Sequence, residues 1–445
     1  MIDDVIVAIA TPYGKNGVGV IRLSGKNAFE IAQKMFVPFK KQNLSVPNKM
    51  ILGKINLGGT TDTGYFVFFK SPKSYTGEDV VEFQCHGGIV VTQKIVEYAI
   101  ACGARLAQPG EFSKRAFLNG KLTLDQAEGV IDTINAESEN ELKASSELAK
   151  GELAKKVISM QDKLTDLLSE IEVNLDYPEH DIEYKTKEKI KNELQSISNE
   201  ISLLLKTAEQ GKLIKNGINI AIVGKTNVGK SSLLNSLLGE DLAIVTEVEG
   251  TTRDVVVGSI EYKGMKFNFL DTAGLRKTKD KVESIGIEKA KQAIDKSDIV
   301  LLVIDSSRDI DEQDNENLAL TKDKKRLILL NKCDLPAVAK FEGEFIKISA
   351  KQKINTEELK QKIYQLALGA SSLNSTLILT NLRHVNVLSQ ANEMFNKLLL
   401  QILSIPLDCT ALDVREVWEK LGEITGECAN ESVINKIFSK FCLGK

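Results

Sequence analysis

Gly224-Lys225-Thr226-Asn227-Val228-Gly229-Lys230-Ser231 is the stretch on which the reading of this chain turns. It follows the apolar run Ile218 to Val223 and precedes SSLLNSLLG, so a strand, a glycine-bearing loop and a helix are expected in that order, the setting a phosphate-binding loop requires. Small residues there let successive backbone N–H groups face phosphate oxygens. Lys230 then reaches the β and γ phosphates and the Ser231 hydroxyl ligates Mg2+, with Asn227, Val228, Gly229 and Ser232 as further nucleotide contacts. Downstream, Asp271-Thr272-Ala273-Gly274 ends FNFL, where the Asp holds the Mg2+ water shell and Gly274 offers an N–H to the γ-phosphate. Asn331-Lys332-Cys333-Asp334 ends RLILL. The Asp334 carboxylate fits guanine because it accepts from both N1 and N2, a donor pair adenine lacks on that edge. Ser349-Ala350-Lys351, after EFIKIS, completes the base pocket. The ordered set reads as a guanine-nucleotide site, with Mg2+.

Between the first two elements lies Gly250-Thr251-Thr252-Arg253-Asp254. Thr252 is expected to complete the Mg2+ coordination and sense the γ-phosphate, with Thr251 nearer the loop backbone and Thr246 also among the nucleotide contacts. Hydrolysis needs an in-line water and an offset for developing negative charge. Residue 275, after DTAG, is Leu275, so the glutamine many GTPases use there is missing. Glu283 in KVESIG is the nearest acidic candidate for orienting the water; Asp280 and Glu288 compete, and each also reads as a solvated carboxylate on a helix surface. Arg253 and Arg276 are further cations whose neighbours do not decide a role.

From Gly217 onward INIAIVG, FNFLDTAG, DIVLLVID and RLILLNKCD are short, nearly continuous apolar runs separated by helix-length segments. Strands apolar on both faces belong to a mostly parallel sheet covered by helices. This predicts a Ras-like α/β P-loop domain over 213–370. On its amino-terminal side, residues 1–120 hold glycine turns and β-type runs (VIVAIA, VIRLSG, GYFVFFK, VVEF) and a helix after QCHGG, which predicts an α+β domain. Residues 121–212 and 371–445 are helical in texture. Ile158, Leu164, Leu168, Ile171 and Leu175 form one expected apolar stripe; Ile190, Leu194, Ile197, Ile201 and Leu204 form another after a break at Pro178. TLILTNLRHVNVLSQANEMF and ALDVREVWEKLGEI are expected helices, so the α/β unit is inserted into a single helical domain.

The 445 residues suggest about three domains on length alone. With 42% hydrophobic residues, 27% charged residues and a formal charge of -3, any RNA-binding patch must be local. The densest apolar stretch, Ile299 to Ile304, is far short of the roughly 20 residues of a membrane span, and the amino terminus lacks a secretory pattern, so a cytoplasmic protein is expected. Cys85, Cys102, Cys333, Cys409, Cys428 and Cys442 show no zinc-ligand spacing, and His86, His180 and His384 are too few for a histidine-rich metal centre. Cys442 stands apart in the terminal FCLGK as a candidate functional thiol.

DVIVAIATPYGKNGVGVIRLSG, SYTGEDVVEFQCHGG, PGEFSKRAFLNGKLTLDQAEG, GTTRD, DTAGLR with KVESIGIEKA, NKCD, LDVREVWEKLGEITGE and FCLGK together resemble the MnmE (TrmE) family of tRNA-modification GTPases, over essentially the whole length. The resemblance implies a GcvT/YgfZ-like amino-terminal domain that binds 5-formyl-tetrahydrofolate or a related one-carbon carrier and forms a constitutive homodimer. It also implies a helical domain carrying the inserted G domain, and a tail returning toward the folate site. It places folate contacts on Arg22, Glu82, Lys121 and Lys445, with Glu78 a rival for Glu82, and Cys442 near the folate in a packing or positioning role. It implies K+ held by Asn227, Thr246, Val248 and Thr251 where other GTPases use an arginine, and gives Glu283 the water-positioning role beside Asn227 and Thr252. G domains paired in the GTP state would order the K+ loop. The implied partner is the flavoprotein MnmG (GidA), which holds the FAD and uses the NADH, in a heterotetramer or larger complex. With it an aminomethyl or carboxymethylaminomethyl group is installed at carbon 5 of the tRNA wobble uridine; neither membrane nor DNA enters. Cys85 departs from the family, which more often has a small residue there, and tolerance is expected. The competing class is a ribosome-assembly or RNA-chaperone GTPase switch, which predicts an RNA-binding accessory domain after Lys351 that the sequence does not suggest.

Overall fold

The computed structural model describes residues 4–176, 180–239, 256–270, 291–369 and 377–445, with side chains left aside at 180–186. Contacts group the chain into two compact units: residues up to 134 with 146–199 and 386–445, and residues 135–145 with 200–385. Pro178, the expected helix break, lies outside the described residues.

In the first unit β1 (Ile6–Ile9), β2 (Val18–Ser24), α1 (Ala28–Met35), β3 (Phe36–Pro38), β4 (Ile51–Asn56), β5 (Thr61–Phe69), β6 (Val80–His86), α2 (Ile89–Ala101), β7 (Arg105–Leu106) and α3 (Glu111–Leu118) follow in order. The sheet runs β3-β4-β5-β6-β2-β1-β7 and is antiparallel except where β1 meets β7. Alternation sends Ile21, Leu23, Phe66 and Phe83 to the face that α1 and α2 cover, where the Phe66 ring lies 5.3 Å from Phe36 and 5.8 Å from Phe83. Cys85 belongs to this core; its thiol donates to the Gly19 carbonyl at 3.5 Å and burial pushes its pKa up to about 12, so it is an inert packing residue.

α3 is fixed by Arg115, only 2% exposed. Its guanidinium donates to the Asp4 carbonyl at 3.0 Å and carboxylate at 2.6 Å, to Glu111 at 3.1 Å and to Glu78 at 3.2 Å, while Arg105 engages Asp4 and Glu111 from the open side. Burial alone would raise the Asp4 and Glu111 pKa values, but the two arginines outweigh it and hold both carboxyls below their ordinary range.

α4 (Leu124–Asn135), α5 (Glu139–Ala149), α6 (Glu152–Asp176) and α7 (His180–Leu205) follow. The α7 stripe is buried as expected from Ile190 to Leu204. The α6 stripe needs correction. Its buried face is Leu153, Val157, Met160, Leu164, Leu167 and Ile171, whereas Ile158 and Leu175 are 45% and 44% exposed and Leu168 is half-buried. The six-residue step from Ile158 to Leu164 turns about 600°, so the two side chains leave the helix on different sides.

The second unit is the α/β domain: α8 (Ala208–Asn216), β8 (Ile218–Val223), α9 (Lys230–Leu238), β9 (Val256–Tyr262), β10 (Met265–Leu270), β11 (Ile299–Asp305), α10 (Glu312–Leu320), β12 (Arg326–Asn331), β13 (Ile346–Lys347) and α11 (Thr356–Leu368). Its sheet runs β13-β12-β11-β8-β10-β9, parallel apart from the β9–β10 hairpin, and every residue of β11 is buried. The unit is wider than 213–370. Thr207 Oγ1 accepts from Leu379 N at 3.1 Å, and Asn140 N donates to the Gly264 carbonyl at the hairpin tip at 3.1 Å.

Three helices close the chain: α12 (Leu382–Gln401), α13 (Leu407–Thr425) and α14 (Glu431–Phe438). The expected helix over TLILTNLRHVNVLSQANEMF begins only at Leu382, because the Asn381 side chain accepts from Arg383 N at 2.9 Å and starts the helix there. In the first unit α13 packs along α6, and Phe438 and Phe441 pack with Leu124 and Ala127. Gly110 allows the close approach of α3 to α14. Its φ is 69°, and a Cβ there would lie 2.2 Å from the Phe438 carbonyl. Among the described residues no helix is long and apolar enough to cross a membrane.

Arg115→Ala leaves three carboxylates without their buried cation, so the first unit should lose about 3–5 kcal/mol of unfolding free energy in a denaturant titration. Folded-state pKa values held low contribute stability above the unfolded values, and that contribution is lost as pH falls below about 4. The acid limb of the wild-type stability profile should therefore be steeper than that of the variant.

Candidate nucleotide-binding site

The loop that joins β8 to α9 is shaped by three unusual backbone positions. Gly224 has φ 149° and a Cβ there would meet the Val303 carbonyl at 2.3 Å; Gly229 has φ 100°; Asn227, exposed on the loop, has φ 62°. With Gly229 as the residue before α9, the first N–H groups of that helix face out of the loop, and Ser231 and Ser232 stand in its first turn. Lys230 Nζ donates to the Gly224 carbonyl at 2.7 Å and the Lys225 carbonyl at 2.5 Å. Burial lowers its pKa. An anionic phosphate beside the ammonium would offset that penalty.

Asn331 joins the phosphate side to the base side. Its side chain, in a residue 2% exposed, donates to the Val228 carbonyl at 2.7 Å and accepts from Ala350 N at 3.0 Å. Gly229 is needed for this too, since a Cβ there would lie 2.3 Å from Asn331 Nδ2. Lys332 takes a left-handed φ of 65° and its Nζ donates to Asp305 Oδ2 at 2.6 Å. Asp334 is held below the usual carboxylate range, first by the Ser349 hydroxyl, and is thus a ready acceptor for a pair of N–H donors. Ser349 is fully buried and Lys351 exposed beside it. A cavity of about 590 Å³ opens between Ser232, Asn235 and Ser236 of α9 and Ala350 and Lys353 beyond β13.

The structure thus brings together Asn227, Val228, Gly229, Lys230, Ser231, Ser232, Asn331, Lys332, Asp334, Ser349, Ala350 and Lys351. Thr246, Val248, Thr251, Thr252, Asp271, Thr272, Ala273, Gly274 and Glu283 lie outside the described residues, as do Asp280, Glu288, Arg253 and Arg276. The charged group around Asp305, Arg308, Asp311 and Lys225 escaped the sequence reading. Its signals were the carboxylate closing the otherwise apolar DIVLLVID and the lysine inside the phosphate loop.

Sequence patterns describe the same architecture. One described as the MnmE helical domain matches residues 124–442, and one described as the GTP-binding protein TrmE N-terminus matches residues 5–121. The tRNA modification GTPase MnmE of Acetivibrio thermocellus is 44% identical over 456 residues, spanning 100% of this chain and 99% of that relative. The protein of the same name from Clostridioides difficile is 42% identical over 457 residues and 100% of each chain. The chain belongs to the MnmE family.

A second cluster joins the amino-terminal part that carries the TrmE pattern to residues 444 and 445. Arg22 Nε pairs with Glu82 Oε1 at 2.7 Å, Arg22 Nη1 donates to the Gly444 carbonyl at 3.3 Å, and the guanidinium stands 5.5 Å from the Tyr75 ring centre and 5.8 Å from that of Phe112. Gly444 is required where it is, with φ 91° and the Ile9 carbonyl only 2.4 Å from where a Cβ would stand. Lys445 is pushed down by burial and then by the neighbouring Arg22. Glu78, the rival of Glu82, is occupied by Ser24 and Arg115 instead. Lys121 is exposed and donates to the Pro72 carbonyl at 3.0 Å. The Cys442 thiol is exposed, while its carbonyl faces Gly110 N at 3.5 Å and Lys445 N at 3.4 Å.

Asn331→Ala leaves the Val228 carbonyl and the Ala350 N–H without their partner, so GDP affinity in an equilibrium titration should fall by roughly tenfold or more.

Proposed function

We propose that the chain hydrolyses GTP and that this hydrolysis serves carbon-5 modification of the tRNA wobble uridine, with a one-carbon tetrahydrofolate as donor. The observation that carries the first part is the Asn331 bridge, which sets the phosphate loop and guanine-reading residues in one frame. Membership of the MnmE family carries the second.

Ser231, with Thr252, would hold Mg2+; Asn227, with Thr246, Val248 and Thr251, would hold K+. The exposed, left-handed Asn227 on the loop fits such a ligand. When bound, both ions would supply positive charge against the negative charge developing on the transferring phosphoryl group. The chain's own part is to orient the phosphates with loop N–H groups and Lys230, to read guanine with Asp334, and to direct the attacking water with Glu283.

For the one-carbon donor we propose the Arg22, Glu82 and Lys445 cluster, with Lys121 as an outlying contact. Two cations pressed together, one of them depressed by burial and by the other, favour a carboxylate-bearing ligand, and Tyr75 and Phe112 offer ring faces beside them. Self-association through the amino-terminal sheet is supported by Val18, Val37, Leu52 and Tyr65, which β2 to β5 leave exposed. The flavoprotein MnmG, bringing FAD and NADH, and the tRNA complete the proposed assembly.

GTP turnover should be much faster in K+ than in Na+, with Asn227→Ala abolishing the difference and Glu283→Ala lowering kcat while nucleotide binding persists. Steady-state rates in the two salts, with mass measured at low and high protein concentration, test this. Turnover indifferent to the cation would remove the proposed catalytic device.

A further inference from the structure

Asp305 closes β11 in register with Asn331 of β12, which sets its carboxylate beside the guanine-reading motif. The side chain is only 8% exposed and its two oxygens are engaged separately. Oδ1 accepts from Ser307 N at 3.0 Å and Ser307 Oγ at 2.7 Å, so the loop after β11 fixes its rotamer. Oδ2 accepts from Lys332 Nζ at 2.6 Å. Lys332 is in a left-handed backbone conformation, which side chains other than glycine's adopt at a cost, and the ion pair holds its stem in one direction from that position.

The same loop reaches the phosphate side. Arg308 lies within 4.0 Å of Asp305, Asp311 and Asp314, and the latter two carboxylates flank Lys225 of the phosphate loop, itself 7% exposed at the side chain. Asp311 and Asp314 also form the reciprocal cap that starts α10, so their positions are fixed by the helix. Charges thus run from Lys332 through Asp305, Arg308 and Asp311 to Lys225, and the three in the middle all belong to the segment from the end of β11 to the start of α10. An isolated surface ion pair would contribute little. A buried carboxylate with both oxygens committed is a geometric constraint on the lysine it holds.

We infer that Asp305 is a positioning residue for guanine-nucleotide binding, acting through Lys332 and tied to the phosphate loop by Arg308, Asp311 and Lys225. This rests on the nucleotide-site reading above and adds the element that orients one of its residues.

The test is the dissociation rate of a fluorescent GDP from the full chain, with KM and kcat for GTP measured alongside. Asp305→Asn should speed release about tenfold and raise KM with kcat unchanged, since a hydrogen bond to a charged partner weakens in the ground state and transition state alike. Combined with Lys332→Met it should be no worse than Lys332→Met alone, because one effect passes through the other. Ser307→Ala, which removes only the hydroxyl that orients the carboxylate, should speed release about threefold at unchanged melting temperature, and this milder variant decides the matter if Asp305→Asn does not fold. Unchanged release in both single variants overturns the positioning role, as does additivity with Lys332→Met. A wild-type chain that binds no guanine nucleotide overturns the underlying reading as well, and is told apart by that control.

Discussion

The Asn331 amide bridges two backbone groups that belong to different loops, and the nucleotide site depends on that bridge. Its Nδ2 donates to the phosphate loop at Val228 and its Oδ1 accepts from Ala350 in the base pocket, both out of reach of water. A buried donor or acceptor left without a partner costs about 1–3 kcal/mol, so displacing either loop alone carries that cost. Even the identity of residue 229 follows from it, since any side chain there would displace the amide. The sheet supplies the platform. β12 delivers Asn331 beside Asp305 at the end of β11, and β8 delivers the loop, all parallel and all ending on the same side.

A different kind of constraint holds the first unit's second cluster. Gly110 and Gly444 let backbone meet backbone where a Cβ would not fit, so the last residues lie against α3 and β1. The contact between Arg22 and the Gly444 carbonyl joins positions 422 residues apart. Arg115 fixes α3 from beneath with Asp4, Glu78 and Glu111, which explains why Glu78 is a structural carboxylate while Glu82 is left to pair with Arg22. The sheet directs the two acids differently. Glu82 is inside β6, opposite Arg22 in register, whereas Glu78 lies in the turn before it.

How much of this could be read from sequence follows the range of the interactions. The parallel sheet was legible because strands buried on both faces need continuous apolar runs, and β8, β10, β11 and β12 have them. The phosphate loop and base motif were legible because their chemistry demands fixed residue types at fixed spacings. The α6 stripe was misread at Ile158 because apolar content was weighed above phase, and the start of α12 because the non-helical segment before Asn381 is as apolar as a helix face. Asp305 was illegible as more than a strand-ending polar residue. Its role appears only when β11 and β12 are placed in register, and local sequence carries no record of that register.

Three of the lysines around the site, Lys225, Lys230 and Lys332, show why that register matters for charge as well as shape. Lys225 is flanked by Asp311 and Asp314, and Lys332 is paired with Asp305, so each ammonium is offset by a carboxylate and serves to hold a loop in place. Lys230, among the described residues, has only the carbonyl oxygens of Gly224 and Lys225 around its ammonium, and burial is what lowers its pKa. Carbonyl dipoles orient a charge without cancelling it, and in a partly desolvated loop an uncancelled positive charge acts on a phosphate far more strongly than it would in water. The lysines that hold loops are thus matched by carboxylates at the end of β11 and the start of α10, and the lysine of the three without such a carboxylate among the described residues is the candidate phosphate contact.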